Sequence, residues 1–341
     1  MLNFENFLNL PLIWYGLIAT AFLVYALLDG FDLGMGILFP FAPSGTCRDQ
    51  MMHSAAPFWD GNETWLVLGG GGLFAAFPLA YAVLMPAFYV PVIIMLLGLI
   101  FRGVSFEFRF KAERFRWVWD LFFHLGSLSA ALMQGMMLGA LIQGVAVEGR
   151  QFSGGLFDWV SPFSVMTGMV LMIGYSLLGA AWTILKTDGR TRAWARKVAR
   201  ILVWMLAAFM VLGAIALFMI HEKRHGAGLN PMAIYLIQPV LILLLILFVL
   251  LWRELAAGNR DQGPFFLTWG IFLISGIGII ISMWPWVVPF EITYPNAAAT
   301  PCSQSFLLLG IGFLLPVILA YTGYCFWVFR GKASGKRHAT Y

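Results

Sequence analysis

Polar positions in this chain are rare enough to be read one at a time. Apolar residues run in blocks of about 20 or more, the length an α-helix needs to cross the hydrocarbon core of a bilayer. Nine blocks can be drawn, at roughly 12–39, 55–76, 79–102, 118–146, 162–186, 198–220, 234–252, 264–288 and 305–329. The second is the weakest, because it holds Asp60, Asn62, Glu63 and four successive glycines, Gly69 to Gly72. Sliding hydropathy alone would drop it and leave eight. The pattern predicts an all-α polytopic membrane protein with nine transmembrane helices, one integral membrane domain over residues 1–341.

Composition removes the alternatives. The chain is 61% hydrophobic and only 11% charged, with a mean hydropathy of +0.84, which no ordinary soluble domain matches. The net charge of +5 therefore reports orientation in a membrane, not nucleic-acid binding. With nine spans, eighteen of the 21 Lys and Arg residues fall on one side, leaving Arg150, Lys223 and Arg224 on the other. The positive-inside rule then predicts an N-terminus outside and a C-terminus in the cytoplasm. Dropping the second block would scatter this asymmetry. The opening MLNFENFLNLPLIWYG has no basic n-region and no small-residue cleavage site, so no cleaved signal peptide is expected.

Against this apolar background four acids stand out: Asp29 and Asp32 in the first block, Asp60 and Glu63 in the second. A carboxylate facing lipid is costly, so intramembrane acids face a bundle interior, a partner or a water file. Each pair is three residues apart and shares a helix face, so two faces could line one polar seam toward the cytoplasmic side. Three readings stay open on spacing alone: a proton relay, structural pairing, or a cation site. Asp120 and His124 form an i, i+4 pair that reads as interfacial. His53, His221, His225 and His338 lie in expected loops or tails, so no mid-span histidine pair is available for haem ligation. Cys47, Cys302 and Cys325 have no metal-site spacing and read as small apolar fillers. The glycines at 30, 34 and 36 and the run 69–72 allow close helix approach or a helix break. Trp59, Trp65, Trp117, Trp119, Trp284 and Trp286 suit an interfacial belt. The segment 290–303 would cap the outer side or meet a partner.

Several strings together resemble a known family. LDGFDLGMGIL (28–38), PFWDGNETWLVLGGGGLFAAFPLAYA (57–82), FRGVSFEFR (101–109), SPF followed by Gly168, and PVILAYTGYCFWVFRGK (316–332) are similar to subunit II of cytochrome bd-type quinol oxidases. The GGGGLFAAFP form and the short length are closest to the cyanide-insensitive branch. The resemblance covers essentially the whole chain and is densest over 28–120.

It implies a fold of two four-helix bundles plus one additional helix. It implies a homologous-fold partner, subunit I, which holds the quinol site, two b-type haems and one d-type haem, so this chain alone binds no cofactor and is not catalytic. A small single-span accessory subunit and a structural quinone occur in some members. The complex oxidises quinol and reduces dioxygen to water in the bacterial inner membrane. It takes its chemical protons from the cytoplasm and releases the quinol protons outside, so that it generates a proton gradient without pumping. By resemblance, Asp60 belongs to the proton pathway, Asp29 lies on the same seam, Arg102 sits near the acids, and Trp65 lines an oxygen tunnel; Asp32 and Glu63 join the pathway by helical spacing, Glu63 at a position where other members carry a neutral residue. Two other classes compete: a proton- or ion-coupled secondary transporter using the four acids, and a purely structural assembly subunit. No internal repeat supports the transporter, and its acids would lie off the midplane.

Overall fold

A computed structural model describes residues 9–225 and 231–333, with the side chains of 217–218, 220–225 and 231–237 left aside. His338, Lys336 and Arg337, and the side chains of His221, Lys223, Arg224 and His225, thus lie outside the described residues. The long helices are α1 (Leu10–Leu38), α3 (Trp59–Ala76), α5 (Tyr89–Lys111), α6 (Arg116–Gln143), α7 (Pro162–Lys186), α8 (Gly189–His225), α9 (Pro231–Ala257), α10 (Gln262–Met283) and α12 (Pro301–Val328). Shorter helices α2 (Gly45–Ala55), α4 (Pro78–Ala87) and α11 (Tyr294–Ala297) connect them. Two small antiparallel hairpins, β1–β2 (Val147–Glu148 with Gln151–Phe152) and β3–β4 (Trp286–Val288 with Ile292–Thr293), complete the connections.

Among the described residues eight helices are long and apolar enough to span a membrane, and the count reaches nine if the bent pair α3–α4 is one span. Its course is set by α12. At the start of α3 the Pro57 carbonyl accepts from Cys325 Sγ, and Phe58 stacks on Phe326. At its end the Ala76 carbonyl accepts from Ala299 N at 2.9 Å and from Gln304 Nε2 at 3.1 Å. The helix therefore runs antiparallel to α12 from one end of the bundle to the other. At 1.5 Å per residue, 18 residues cover about 27 Å, close to the hydrocarbon thickness.

One expected span is corrected here. The apolar run 79–102 is not one helix. Pro78 lacks an N–H and pushes Phe77 out of helical geometry, so α4 leaves α3 at a bend of 120°. Phe88 breaks the chain again, and α5 carries on to Lys111. That shift places Arg102 inside a helix, where the sequence pattern had put it at a span end. Likewise the span expected at 198–220 starts at Gly189, so the basic run before it is helical, and the one expected at 264–288 stops at Met283. Segment 290–303 forms β4 and α11 and seats on the end of α3.

The helices sort into two groups of four, α1/α3/α5/α6 and α7/α8/α9/α10, with α12 added against α3 and α1. The groups meet where α7 packs on α1 and α6. Backbone contact at Gly34 and Gly179 makes this possible: a Cβ on Gly34 would strike the Tyr175 carbonyl, and one on Gly179 would strike the Gly34 backbone. Gly98 and Gly126 do the same for α5 and α6.

One end of the bundle carries most of the basic residues, and there the chain is clamped by ion pairs. Lys332, past the end of α12, binds Asp188 at 2.6 Å and Asp261 at 2.8 Å. Burial works against the Asp261 carboxylate, but Lys332 and Arg192 outweigh it and hold its pKa below the ordinary value.

The glycine contact predicts a contrast. Gly34→Ala is expected to destabilise the protein by about 1–3 kcal/mol or more, because backbone cannot yield to a new methyl. Gly16, with open space around it, should accept alanine within about 0.5 kcal/mol. Thermal unfolding in detergent measures both.

Candidate functional site

The acids of α1 converge on one arginine. Arg102 is wholly buried and reaches two helices at once. Its Nη1 donates to Asp29 Oδ1 at 2.6 Å, and its Nη2 donates to Glu63 Oε1. A planar guanidinium suits this two-sided task, since its fork presents donors in fixed directions. Asp32, also wholly buried, receives no cation. Its Oδ2 accepts from Asn62 Nδ2 at 2.8 Å, and the same amide nitrogen donates to the Leu28 carbonyl at 3.2 Å. Asp29 Oδ2, Asp32 Oδ1 and Arg102 Nε have no hydrogen-bond partner. The cluster therefore holds three carboxyl groups against one guanidinium, with polar atoms left over.

Its position follows from the helices. Asp29 and Arg102 each lie nine residues from the basic end of their helix (Leu38 and Lys111), about 13 Å along the axis. The array is open on one side only. Asp29, Asp32 and Arg102 are fully covered, whereas the Glu63 side chain is 27% exposed. Trp59, stacked on Phe106 with ring centroids 5.3 Å apart, packs α3 onto α5 beside it.

Asp60 is not inside the cluster. The expectation that Asp60 and Glu63 share one seam is corrected: Glu63 turns to Arg102, while Asp60 is exposed in the first turn of α3. A spacing of three residues turns a helix through about 300°, so one of the pair can face in while the other faces out. Asp60 instead heads an outward stripe that continues through Thr64, Val67, Gly71 and Phe74.

Trp65 also departs from expectation. It is 3% exposed and sits among Ala21, Tyr25 and Leu28, not in an interfacial belt. With Trp14, Ile18, Thr20, Leu68 and Ile311 it lines a cavity of about 30 Å³ between α1, α3 and α12. Its Nε1 has no partner.

The Asp120–His124 pair does not form. Asp120 accepts from Arg48 at 2.8 Å and from Arg109 at 2.5 Å, while the His124 ring faces the Gly36 carbonyl at 3.2 Å. Arg109 also binds Asp49 at 2.8 Å, as does Arg116 at 2.9 Å. This second network ties α2, α5 and α6 together at the basic end. Among the described residues no group of three or more His, Cys, Asp or Glu side chains is arranged to hold a metal ion.

Sequence reading missed Asn62 as a ligand of the acids, and it missed Tyr25, Gln134 and Tyr175, whose hydrogen bonds lie deeper in the bundle. The available signal was a lone glutamine in the middle of an apolar helix.

Comparison with known proteins gives a consistent result. The family profile described as cytochrome bd terminal oxidase subunit II matches residues 10–329. The chain is 31% identical over 360 residues to cytochrome bd-I ubiquinol oxidase subunit 2 of Escherichia coli (strain K12), covering 95% of each chain. It is 29% identical over 344 residues to cytochrome bd ubiquinol oxidase subunit 2 of Bacillus subtilis (strain 168), covering 96% of this chain and 98% of the relative. A chain of the solved bd oxidase structure from Geobacillus thermodenitrificans shares the fold, with a TM-score of 0.74 at 18% identity over 94% of this chain and 99% of that one.

The two-sided role of Arg102 is testable by thermal unfolding. Arg102→Leu should destabilise by about 3–5 kcal/mol, because it strands buried carboxylates. Adding Asp29→Asn should recover part of that loss. Full additivity of the two changes would mean that they do not interact.

Proposed function

The chain belongs to the family of cytochrome bd terminal oxidase subunit II, and from that membership we propose that it is the haem-free half of a quinol:dioxygen oxidoreductase and carries protons toward its partner. The partner is subunit I. We place the quinol site and the two b-type haems and one d-type haem there, on the family resemblance. Ubiquinol is the reductant named for the Escherichia coli relative, and a quinol is the reductant proposed here. The basic end of the bundle is taken as cytoplasmic and the N-terminus as outside, in a multi-pass protein of the bacterial cell membrane.

Reduction of dioxygen to water consumes protons as well as electrons, and an enzyme buried in lipid must bring them in through polar groups. The observation that supports a proton route is the graded exposure of the acids. Asp60 is exposed at the basic end, Glu63 is partly covered, and Asp29 and Asp32 are fully buried. Protons would be collected at Asp60, pass Glu63, and reach the Arg102 cluster. The open stripe below Asp60 is the proposed seat of subunit I, since a carboxylate facing lipid is costly. Buried ion pairs add little to stability on balance, so an arginine with three acids fits a working array better than a scaffold. Trp65 and its cavity offer an apolar route for dioxygen beside the same helices. The transporter reading has no comparable support once the family is known. A purely structural role is the reading to be excluded by experiment.

Asp60→Asn and Glu63→Gln should each give an assembled, haem-replete complex whose oxygen consumption falls by roughly tenfold or more. Unchanged turnover in such a complex would remove the proton role, and loss of the complex would make the acid structural.

Trp65→Ala is expected to change the KM for dioxygen and leave the KM for quinol alone. An unaltered oxygen dependence would argue against the cavity as a route.

A further inference from the structure

A chain of three polar side chains lies where α1, α6 and α7 meet, deeper than the acids. Tyr175 Oη donates to Gln134 Oε1 at 3.0 Å, and Gln134 Nε2 donates to Tyr25 Oη at 2.8 Å. Tyr25 and Tyr175 are buried, and both occupy the middle of helices that cross the whole bundle. Each hydroxyl carries a single proton. The Tyr175 proton is directed at Gln134, and the Gln134 amide at Tyr25. Within the trio the Tyr25 proton has no acceptor.

That acceptor lies one helical turn away. Tyr25 and Asp29 are an i, i+4 pair on α1, and the tyrosine hydroxyl stands beside the carboxyl group. Asp29 Oδ2 is the oxygen that Arg102 does not reach, and it has no other partner. Turning the Gln134 carboxamide over would leave both the Tyr175 proton and Asp29 Oδ2 unmatched. The orientation seen is the one that can satisfy every group in the chain.

We infer that Tyr25, aligned by Gln134 and Tyr175, is a positioning residue that donates to Asp29 Oδ2, fixes Asp29 as the ionised partner of Arg102, and so leaves the exchangeable proton of the cluster on Asp32. Charge and geometry support the division. The groups facing one another are Asp29 and Asp32 from α1, Asn62 and Glu63 from α3, Arg102 from α5, Gln134 from α6 and Tyr175 from α7. Asp29 and Glu63 share the guanidinium. Asp32 has one neutral donor and no direct ion pair, and a buried carboxylate without one is the costliest member of such a set to ionise. Tyr25 therefore decides which of two neighbouring acids is charged. It never handles the travelling proton itself.

The inference rests on the proton-route reading only for its use, and its test is separate from turnover. Infrared spectra of the purified two-subunit complex in H₂O and D₂O resolve the C=O stretch of protonated carboxyl groups. Subtracting Asp32→Asn from the native spectrum should reveal one such band, and subtracting Asp29→Asn should reveal none. In a Tyr25→Phe background part of the band should move, so that Asp29→Asn now removes some of it. Tyr175→Phe, which removes a hydroxyl bonded to Gln134 and to neither the acids nor Arg102, should cause a smaller shift of the same kind and serves if Tyr25→Phe does not assemble. A band that belongs to Asp29 in the native complex, a band absent from the Asp32 difference, or one unmoved by loss of the Tyr25 hydroxyl would overturn the inference. Oxygen consumption answers the other question: full turnover in Asp29→Asn and Asp32→Asn would end the proton-route reading without altering what the spectra say of Tyr25.

Discussion

Arg102 joins three helices through one side chain. It comes from α5, takes Asp29 from α1 and Glu63 from α3, and does so with no exposed surface of its own. In a medium with no water to solvate them, none of these charges can be buried separately. The arginine thus dictates how α1, α3 and α5 are rotated about their axes. That rotation in turn decides which neighbours face inward: Asn62 reaches Asp32, Trp65 packs under Tyr25, and Asp60 is turned outward.

Such an arrangement needs helices that approach closely, and small residues supply that closeness. Gly34 against Gly179 brings the backbone of α1 onto α7, which sets Tyr175 within reach of the Tyr25–Gln134 pair. Gly98 against Gly126 brings α5 onto α6 one turn from Arg102. Proline acts in the opposite sense. Pro78 ends α3 and turns α4 away from it, so the glycine-rich α3 is held at one end by Cys325 of α12 and at the other by Ala299 and Gln304. Membrane helices gain little from apolar contact with one another, because lipid is equally apolar. The order of this bundle rests on backbone fit and on the few buried polar links.

Much of the architecture was legible from the chain. Long apolar blocks gave the helices, and the lopsided distribution of lysine and arginine kept the weak second block as a crossing. Asp29 and Asp32 were recognisable as buried acids, and Glu63 as one turned toward the bundle, because a bilayer makes each such residue conspicuous. The errors cluster where a local rule competes with a global one. The run 79–102 is apolar almost throughout, and hydropathy cannot see the bend at Pro78 just before it or the break at Phe88 that divides it. Asp60 and Glu63 look equivalent by spacing, yet a few tens of degrees of helix rotation separate a covered acid from an exposed one.

By itself, then, the sequence determined that this is a many-helix membrane protein, where most of its long apolar helices lie, and that a handful of acids must have a purpose, since apolar solvent penalises every other placement. Only the tertiary structure decided how those acids divide. Arg102 lies 73 residues from Asp29 and 39 from Glu63, and Gln134 lies 109 from Tyr25 and 41 from Tyr175. No periodicity along the chain encodes partners so far apart. They are selected by helix rotation and by glycine contacts between helices, which are properties of the packed bundle and not of any one segment.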